Sequence, residues 1–125
     1  MQAQNADVIA IRKMMDNQVI SWNQGSIDGF MQGYAETDSL LFIGKKGRNY
    51  GWKTTLNNYR NSYPDAASMG TLSFLELRFE KLHGKIYFVT GQWKLVRSAG
   101  DLQGWFSLVV QKINGQWRIT HDHSS

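Results

Sequence analysis

The sequence predicts an α+β fold in which helices come first and an antiparallel sheet follows. In the first half of the chain, apolar residues recur every three or four positions, as they do on one face of a helix. In the second half, apolar and polar residues alternate in runs that turn residues separate. We expect residues 1–125 to form one domain, since this length suffices for a sizeable core.

Three helices are predicted in the first half. The first ends at Gly25, and its apolar face consists of residues at helical spacing: Val8, Ile11, Met15, Val19 and Trp22. Ser26 is a typical N-cap residue and predicts the start of a short second helix. The third helix is expected from Trp52 to Tyr63, because Pro64 cannot continue it.

Between the second and third helices, the apolar run 40–43 predicts a short strand. The stretch GKKGRNYG at 44–51 is rich in turn residues and predicts a loop. After the helices, alternation over 72–80 predicts a half-buried strand. Its apolar phase changes near Phe74, which indicates a bulge or bend there.

Three further strands complete a predicted four-stranded meander. Residues 83–85 predict a turn into a strand over 86–96, and a second turn leads into a strand over 104–113. The pair Asn114-Gly115 is the strongest hairpin signal in the chain, and the last strand follows over 116–123.

Charge and composition exclude several classes of function. Lys and Arg exceed Asp and Glu by 14 to 10, but the densest basic cluster is only Lys45, Lys46 and Arg48. Nucleic-acid binding would need a longer basic stripe with interleaved aromatic residues, so we do not expect it. No apolar run approaches the ~20 residues of a membrane span, so we expect no membrane partner. The chain has no cysteine, which excludes disulfides and thiol catalysis.

The compartment stays open at this point. The start MQAQNAD has neither the basic nor the apolar region of a signal peptide, which favours the cytoplasm. If it instead follows a removed signal peptide, the protein is secreted or periplasmic. The sequence contains no phosphate-binding loop, no nucleophile elbow and no HExxH, which excludes nucleotide hydrolysis, serine hydrolysis and zinc proteolysis. We expect no cofactor, and no metal is the leading expectation.

The order of motifs resembles a known family. These motifs are WNQG ending the first helix, Tyr34 followed by Asp38, Gly51-Trp52 opening a helix, and the closing WRITHDHSS. Together they are similar to the SnoaL-like group of the nuclear-transport-factor-2-like superfamily, which shares the ketosteroid-isomerase-like fold. The resemblance implies a cone: a strongly curved mixed sheet, of the cystatin-like roll type, wraps around the helices and encloses a pocket. It also implies a homodimer paired through the outer face of the sheet.

The last strand carries the residues that suggest chemistry. Strict alternation separates two sets, one with Trp117, Ile119, His121 and His123 and the other with Arg118, Thr120 and Asp122. If Ile119 faces the interior, both histidines point towards the pocket and Asp122 points away. Three interpretations of the histidines follow, as ligands of a metal, as acid–base groups, or as ordinary hydrogen-bonded residues.

A metal needs a third protein ligand, and Asp38 is the only candidate by position. Acid–base chemistry suits a histidine in a partly apolar pocket, with Asp38 and His123 as the pair and Tyr34 or Tyr63 assisting. In the structural interpretation, His123 donates a hydrogen bond to a backbone carbonyl or to Asp38. Steroid-type isomerisation is not expected, because the strand 104–113 has no carboxylate to complete an oxyanion hole.

The leading prediction is a stand-alone small-molecule-binding pocket protein whose ligand is largely apolar. Its predicted ligand-binding residues are Tyr34, Tyr63, Trp93, Phe106 and His121. Most other aromatic residues of the helices, including Trp22 and Tyr59, are expected to be core. If the protein is an enzyme, we expect a cofactor-free isomerase, dehydratase or cyclase that uses Asp38 and His123. The alternative is a non-catalytic association module, because the ending is similar to that of the calcium/calmodulin-dependent kinase II association domain.

Overall fold

The structure is a computed structural model that describes residues 2–125, with side chains described from residue 6 onward. The helices are α1 (Gln2–Asn23), α2 (Ile27–Met31), α3 (Trp52–Ser62) and α4 (Ala66–Met69). The strands are β1 (Leu41–Gly44), β2 (Gly47–Tyr50), β3 (Thr71–His83), β4 (Ile86–Val96), β5 (Leu102–Ile113) and β6 (Gln116–Ser124). None of the helices within residues 2–125 is long and apolar enough to cross a membrane.

The strands form one six-stranded mixed sheet in the order β2-β1-β6-β5-β4-β3. Strands β3 to β6 form an antiparallel meander, and β1 pairs in parallel with β6. Asn114 (φ 51°) and Gly115 (φ 78°) both adopt the left-handed conformation that a two-residue hairpin turn requires. The predicted α+β class, with a curved sheet around N-terminal helices, is therefore confirmed.

One face of the sheet, here called the inner face, packs against the helices. Alternate residues of β4 and β5 are buried there and join apolar residues of the helices in one core cluster: Tyr87, Val89, Leu95, Phe106, Leu108 and Val110. Ile11 and Met15 of α1 belong to the same cluster. The opposite, outer face of the sheet carries Trp105 and Leu75, which are 57% and 44% exposed.

The helix caps follow the sequence closely. Ser26 accepts a hydrogen bond from the Gly29 backbone N–H at 2.9 Å and so caps α2, as predicted. The short helix α4 was not predicted. Asp65 and Ser68 form a reciprocal capping box at its start, which stabilises a single turn too short to show helical periodicity.

One prediction along the sheet needs correction, and a second is given its position by the structure. The stretch 44–51 is not a loop, since β2 pairs antiparallel with β1 from Leu41↔Tyr50 to Gly44↔Gly47. An irregularity was expected near Phe74, and the pairing of β3 with β4 is broken directly after it, between Leu75 and Arg78, with Glu76 at φ 56°. The position of this bulge depends on how β3 pairs with β4, and the residues of β3 alone do not determine it.

Candidate functional site

A cavity of about 480 Å³ lies between the helices and the inner face of the sheet. This volume falls in the range of small-molecule sites, about 300–1,000 Å³. Nine aromatic residues line the cavity: Trp22, Phe30, Tyr34, Phe42, Tyr59, Tyr63, Phe74, Trp93 and Phe106. Aliphatic residues, among them Leu72, Leu95 and Ile119, complete a largely apolar wall.

The aromatic wall is built around Trp22, which is 3% exposed. Its ring centroid lies 5.0 Å from those of Phe30 and Tyr63 and 5.9 Å from that of Tyr59, all edge to face. Its indole Nε1 donates a hydrogen bond to the Met69 carbonyl oxygen at 2.9 Å. Trp22 thereby joins α1, α3 and α4 behind the cavity and holds one wall in place.

A buried carboxyl group interrupts this apolar wall. Asp122 of β6 is 3% exposed and lines the cavity. The Tyr34 hydroxyl donates to Asp122 Oδ2 at 2.6 Å, and the Ser124 hydroxyl donates to Oδ1 at 2.6 Å. The Tyr59 hydroxyl lies 3.4 Å from that of Tyr34 and extends the network. The cavity therefore offers one polar cluster, which can meet a polar group of a bound molecule.

The environment of Asp122 changes its acidity. Burial raises its pKa to about 6, because the charged form loses its hydration. Hydrogen bonds from Ser124 and Tyr34, and the proximity of His123, lower the pKa and limit the rise. A carboxyl group with this pKa is ionised in most molecules at pH 7 and readily takes up a proton. It therefore suits acid–base chemistry near neutral pH.

The tyrosines beside Asp122 stay protonated. Burial raises the pKa of Tyr34, and the negative charge of Asp122 raises it further. The same two causes, burial first, raise the pKa of Tyr59. Both hydroxyls therefore keep their protons at neutral pH. The Tyr34 hydroxyl donates its proton to Asp122, and the Tyr59 hydroxyl can stabilise an oxygen atom on which negative charge develops.

A β-bulge in β6 directs Asp122 into the cavity. Ile119 pairs with Val110 and His121 pairs with Val109, so Thr120 is an extra residue without a partner on β5. The side chains after Thr120 consequently change faces, and Asp122 follows Ile119 on the inner face. The strict alternation expected for this strand is wrong from Thr120 onward.

The predicted orientation of the histidines is wrong for the same reason. His121 is half-buried, His123 is exposed, and neither is among the described residues that line the cavity. Asp38 is also exposed and outside the cavity lining, and no hydrogen bond within the described chain joins it to His123. The structure therefore places the predicted acid–base pair outside the cavity. No cluster of three or more potential metal ligands occurs among the described residues.

Four of the five predicted ligand-binding residues line the cavity: Tyr34, Tyr63, Trp93 and Phe106. His121 does not. Trp22 and Tyr59 were expected to be core. Trp22 belongs to the core, Tyr59 packs against it half-buried, and both also line the cavity. Sequence reasoning missed Asp122 and Ser124, and the bulge that orients them has no local signature in the residues around Thr120.

Comparisons with known proteins identify the family of this chain. The family described as the SnoaL-like domain matches residues 11–125. The chain belongs to this family. No curated protein matches the chain.

Solved structures similar to this SnoaL-like chain include an NTF-2-like protein of unknown function from Shewanella oneidensis MR-1. It is 36% identical, with a TM-score of 0.90, and 95% of this chain and 98% of that chain are covered. A protein with a cystatin-like fold from Nostoc punctiforme PCC 73102 is 20% identical, with a TM-score of 0.79 and coverage of 96% and 76%. A candidate scytalone dehydratase from Novosphingobium aromaticivorans DSM 12444 is 13% identical, with a TM-score of 0.77 and coverage of 98% and 85%. At these identities, the last two similarities show the fold alone.

Proposed function

We propose that this SnoaL-like domain binds a small, largely apolar molecule in its cavity, with a polar group of that molecule at Asp122. The observation that carries the proposal is a buried carboxyl group, held by Tyr34 and Ser124, in a cavity whose other walls are largely apolar. Pockets of this kind bind the body of a ligand through apolar contact and orient it through a few polar groups.

The same arrangement supports a cofactor-free proton transfer. The Asp122 carboxylate is the base: it accepts a proton from a carbon or hydroxyl group of the bound molecule and returns it to another position. The Tyr34 hydroxyl holds the Asp122 carboxylate in place, and the Tyr59 hydroxyl donates a hydrogen bond to the oxygen on which charge develops. Isomerisation, dehydration and cyclisation all use such a step. The role first predicted for Asp38 and His123 thus passes to Asp122.

Native mass spectrometry of the purified protein tests the binding proposal directly. Comparison of native and denatured masses reveals any retained molecule, and that molecule then serves as ligand in affinity measurements. A retained organic molecule of a few hundred daltons supports the proposal. If libraries of small aromatic molecules produce no binding and nothing is retained, the proposal is wrong.

Replacing Trp93 by Ala should weaken ligand binding about tenfold, because the substitution removes one aromatic surface of the cavity. Isothermal titration calorimetry measures the change in Kd. The matched control is Trp105→Ala, which removes a tryptophan from the outer face of the sheet and should leave Kd unchanged. Equal effects of the two substitutions would remove Trp93 from the binding site.

The proposal includes a homodimer formed through the outer face of the sheet. Leu75 and Trp105 lie in one row across three strands, since both pair with Gln92. Arg78 and Glu80 lie on the same face of the sheet. In a dimer with a two-fold axis, Arg78 of one copy can therefore face Glu80 of the other copy, and the reverse. A patch that combines exposed apolar side chains with both charges fits another copy of this chain.

The substitution Trp105→Lys should convert this dimer to a monomer at micromolar concentration, because it places two charges in the apolar centre of the interface. Sedimentation velocity measures the change in mass. An unchanged dimer would show that another surface is used. A closed ring of higher order in the wild-type protein would instead favour the association module predicted as the alternative.

A further inference from the structure

The mouth of the cavity has a chemical character different from that of its interior. The turn between β1 and β2 contributes Lys45 and Lys46 to the cavity lining. Across from this turn, the C-terminal half of α3 contributes polar side chains, among them Asn58 and Asn61. Both lysines are exposed, whereas Asp122 is buried. The cavity is thus acidic at its buried end and basic at its opening.

The positive charge at the mouth has no counter-ion in the described part of the chain. Asp122 is the only acidic residue among the described residues that line the cavity. The only ion pair between described residues joins Arg60 to Asp28, so neither lysine is paired with a carboxylate. Arg97, by contrast, donates hydrogen bonds to the carbonyl oxygens of Ser68 and Gly100. The two lysines are therefore available to a bound molecule.

The register of the sheet gives the distance between the buried end of the cavity, at Asp122, and its opening, at the lysine turn. Phe42 lies beside Asp122 in the parallel pairing of β1 with β6, and Lys45 follows three residues later. Three residues of extended chain span roughly 10 Å. A molecule that reaches from Asp122 to the lysine turn therefore has about the length of a fused two- or three-ring compound with one substituent.

We infer that the ligand of this cavity is an organic anion: an aromatic or polycyclic body with a carboxylate at the end that faces Lys45 and Lys46. The inference rests on the proposed function, since it names the class of molecule that the same cavity binds. An exposed lysine–carboxylate pair contributes little when isolated, but two cations at one opening attract the anion jointly and also speed its approach. The polar group at the other end of the molecule meets Asp122.

Two probes that differ in charge test this inference. The probes are 2-naphthoate and 2-naphthamide, which share one ring system and differ in a carboxylate against a neutral amide. Their Kd values are measured by quenching of tryptophan fluorescence at pH 7.5 in low salt. At this pH Asp122 is ionised and repels a naphthoate molecule that enters the cavity with its carboxylate first. A lower Kd for naphthoate than for naphthamide therefore measures the effect of the lysines at the mouth of the cavity.

We expect naphthoate to bind about tenfold more tightly than naphthamide, and the preference to shrink as salt screens the charges. The double substitution Lys45→Gln/Lys46→Gln should remove the preference and leave the Kd of naphthamide unchanged. The matched control is Lys81→Gln/Lys85→Gln, which changes the net charge equally at the β3–β4 turn, outside the cavity lining.

The possible outcomes separate this inference from the proposed function. Equal binding of the two probes, or a preference that survives the Lys45/Lys46 substitutions, overturns the anionic ligand and leaves the binding cavity intact. A loss of preference in the Lys81/Lys85 control shows that net charge alone is responsible, which also overturns the inference. If neither probe binds, although both are small enough for about 480 Å³, the inference is overturned. The binding proposal itself is then decided by the native mass spectrometry.

Discussion

The substitution Asp122→Asn is expected to abolish turnover and to stabilise the folded protein at pH 7. The amide keeps the size of the carboxyl group and can still accept the hydrogen bond from Tyr34, but it cannot take up a proton. It also removes the cost of burying a charge. The rise in pKa from 3.8 to about 6 corresponds to about 3 kcal/mol, which is an upper limit for the gain. We expect a rise in Tm of roughly 10 °C.

The pH dependence of this gain follows from the direction of the pKa shift. Below about pH 4, Asp122 is protonated in the folded and the unfolded chain, so wild type and variant differ little. Between about pH 4 and pH 6, Asp122 is ionised in the unfolded chain but keeps its proton in the folded protein. As the pH rises through this range, the stability of the wild type therefore falls relative to that of the variant. Above about pH 6, the difference is constant.

Urea denaturation of wild type and Asp122→Asn from pH 4 to pH 7.5 measures this difference. Subtraction of the two curves removes contributions from all other titrating groups. A difference that does not change with pH would contradict the raised pKa of Asp122. For turnover, activity that survives Asp122→Asn but is lost in Asp38→Asn or His123→Gln would restore the pair predicted from the sequence.

The substitution Trp22→Ala is expected to cost about 3–5 kcal/mol of the free energy of unfolding. It removes three edge-to-face aromatic contacts and leaves the Met69 carbonyl oxygen without its hydrogen bond. Because domains of this size have a total stability of about 5–15 kcal/mol, the variant should be folded only marginally. Equilibrium urea denaturation at 25 °C provides the measurement.

The control for this prediction is Trp22→Phe, which keeps a ring in the aromatic wall and loses the indole N–H. We expect a loss of about 1–2 kcal/mol, mainly from the unsatisfied carbonyl group of Met69. A loss below about 1 kcal/mol in Trp22→Ala would mean that the wall rearranges without Trp22. In that case Trp22 would not determine the shape of the cavity.

Local patterns predicted the fold well where an element is long or its turn is specific. The apolar spacing of α1 and α3 gave both helices, and residues 86–96 were predicted with the bounds that β4 has in the structure. The pair Asn114-Gly115 fixed the last hairpin, because both residues tolerate the left-handed conformation of its turn. Two short elements were missed, β2 and α4, since they have four residues each and, unlike β1, no continuous apolar run that marks them.

The candidate site was predicted less well because it depends on pairing between strands. The pairing of β6 with β5 decides which face of the sheet Asp122 occupies. Neighbouring residues of β5, Val110 and Val109, pair with Ile119 and His121, which are two residues apart in β6. This pairing is a property of two strands together, and alternation within β6 alone gives the opposite answer. Aromatic residues were easier to place, because a ring such as Phe106 continues the apolar phase of its own strand.

The extra residue at Thr120 also has a consequence for the evolution of this site. If the bulge disappeared with no residue lost, so that Thr120 paired with Val109, simple alternation would be restored and the two sides of the strand end would be exchanged. His121 and His123 would then face the cavity, and Asp122 would leave it. A one-residue slip in the pairing of β6 with β5 thus replaces one carboxyl group by two imidazoles without any change in sequence. Two related chains that end in the same residues can therefore carry different chemistry, and an alignment of their letters alone would score them as identical.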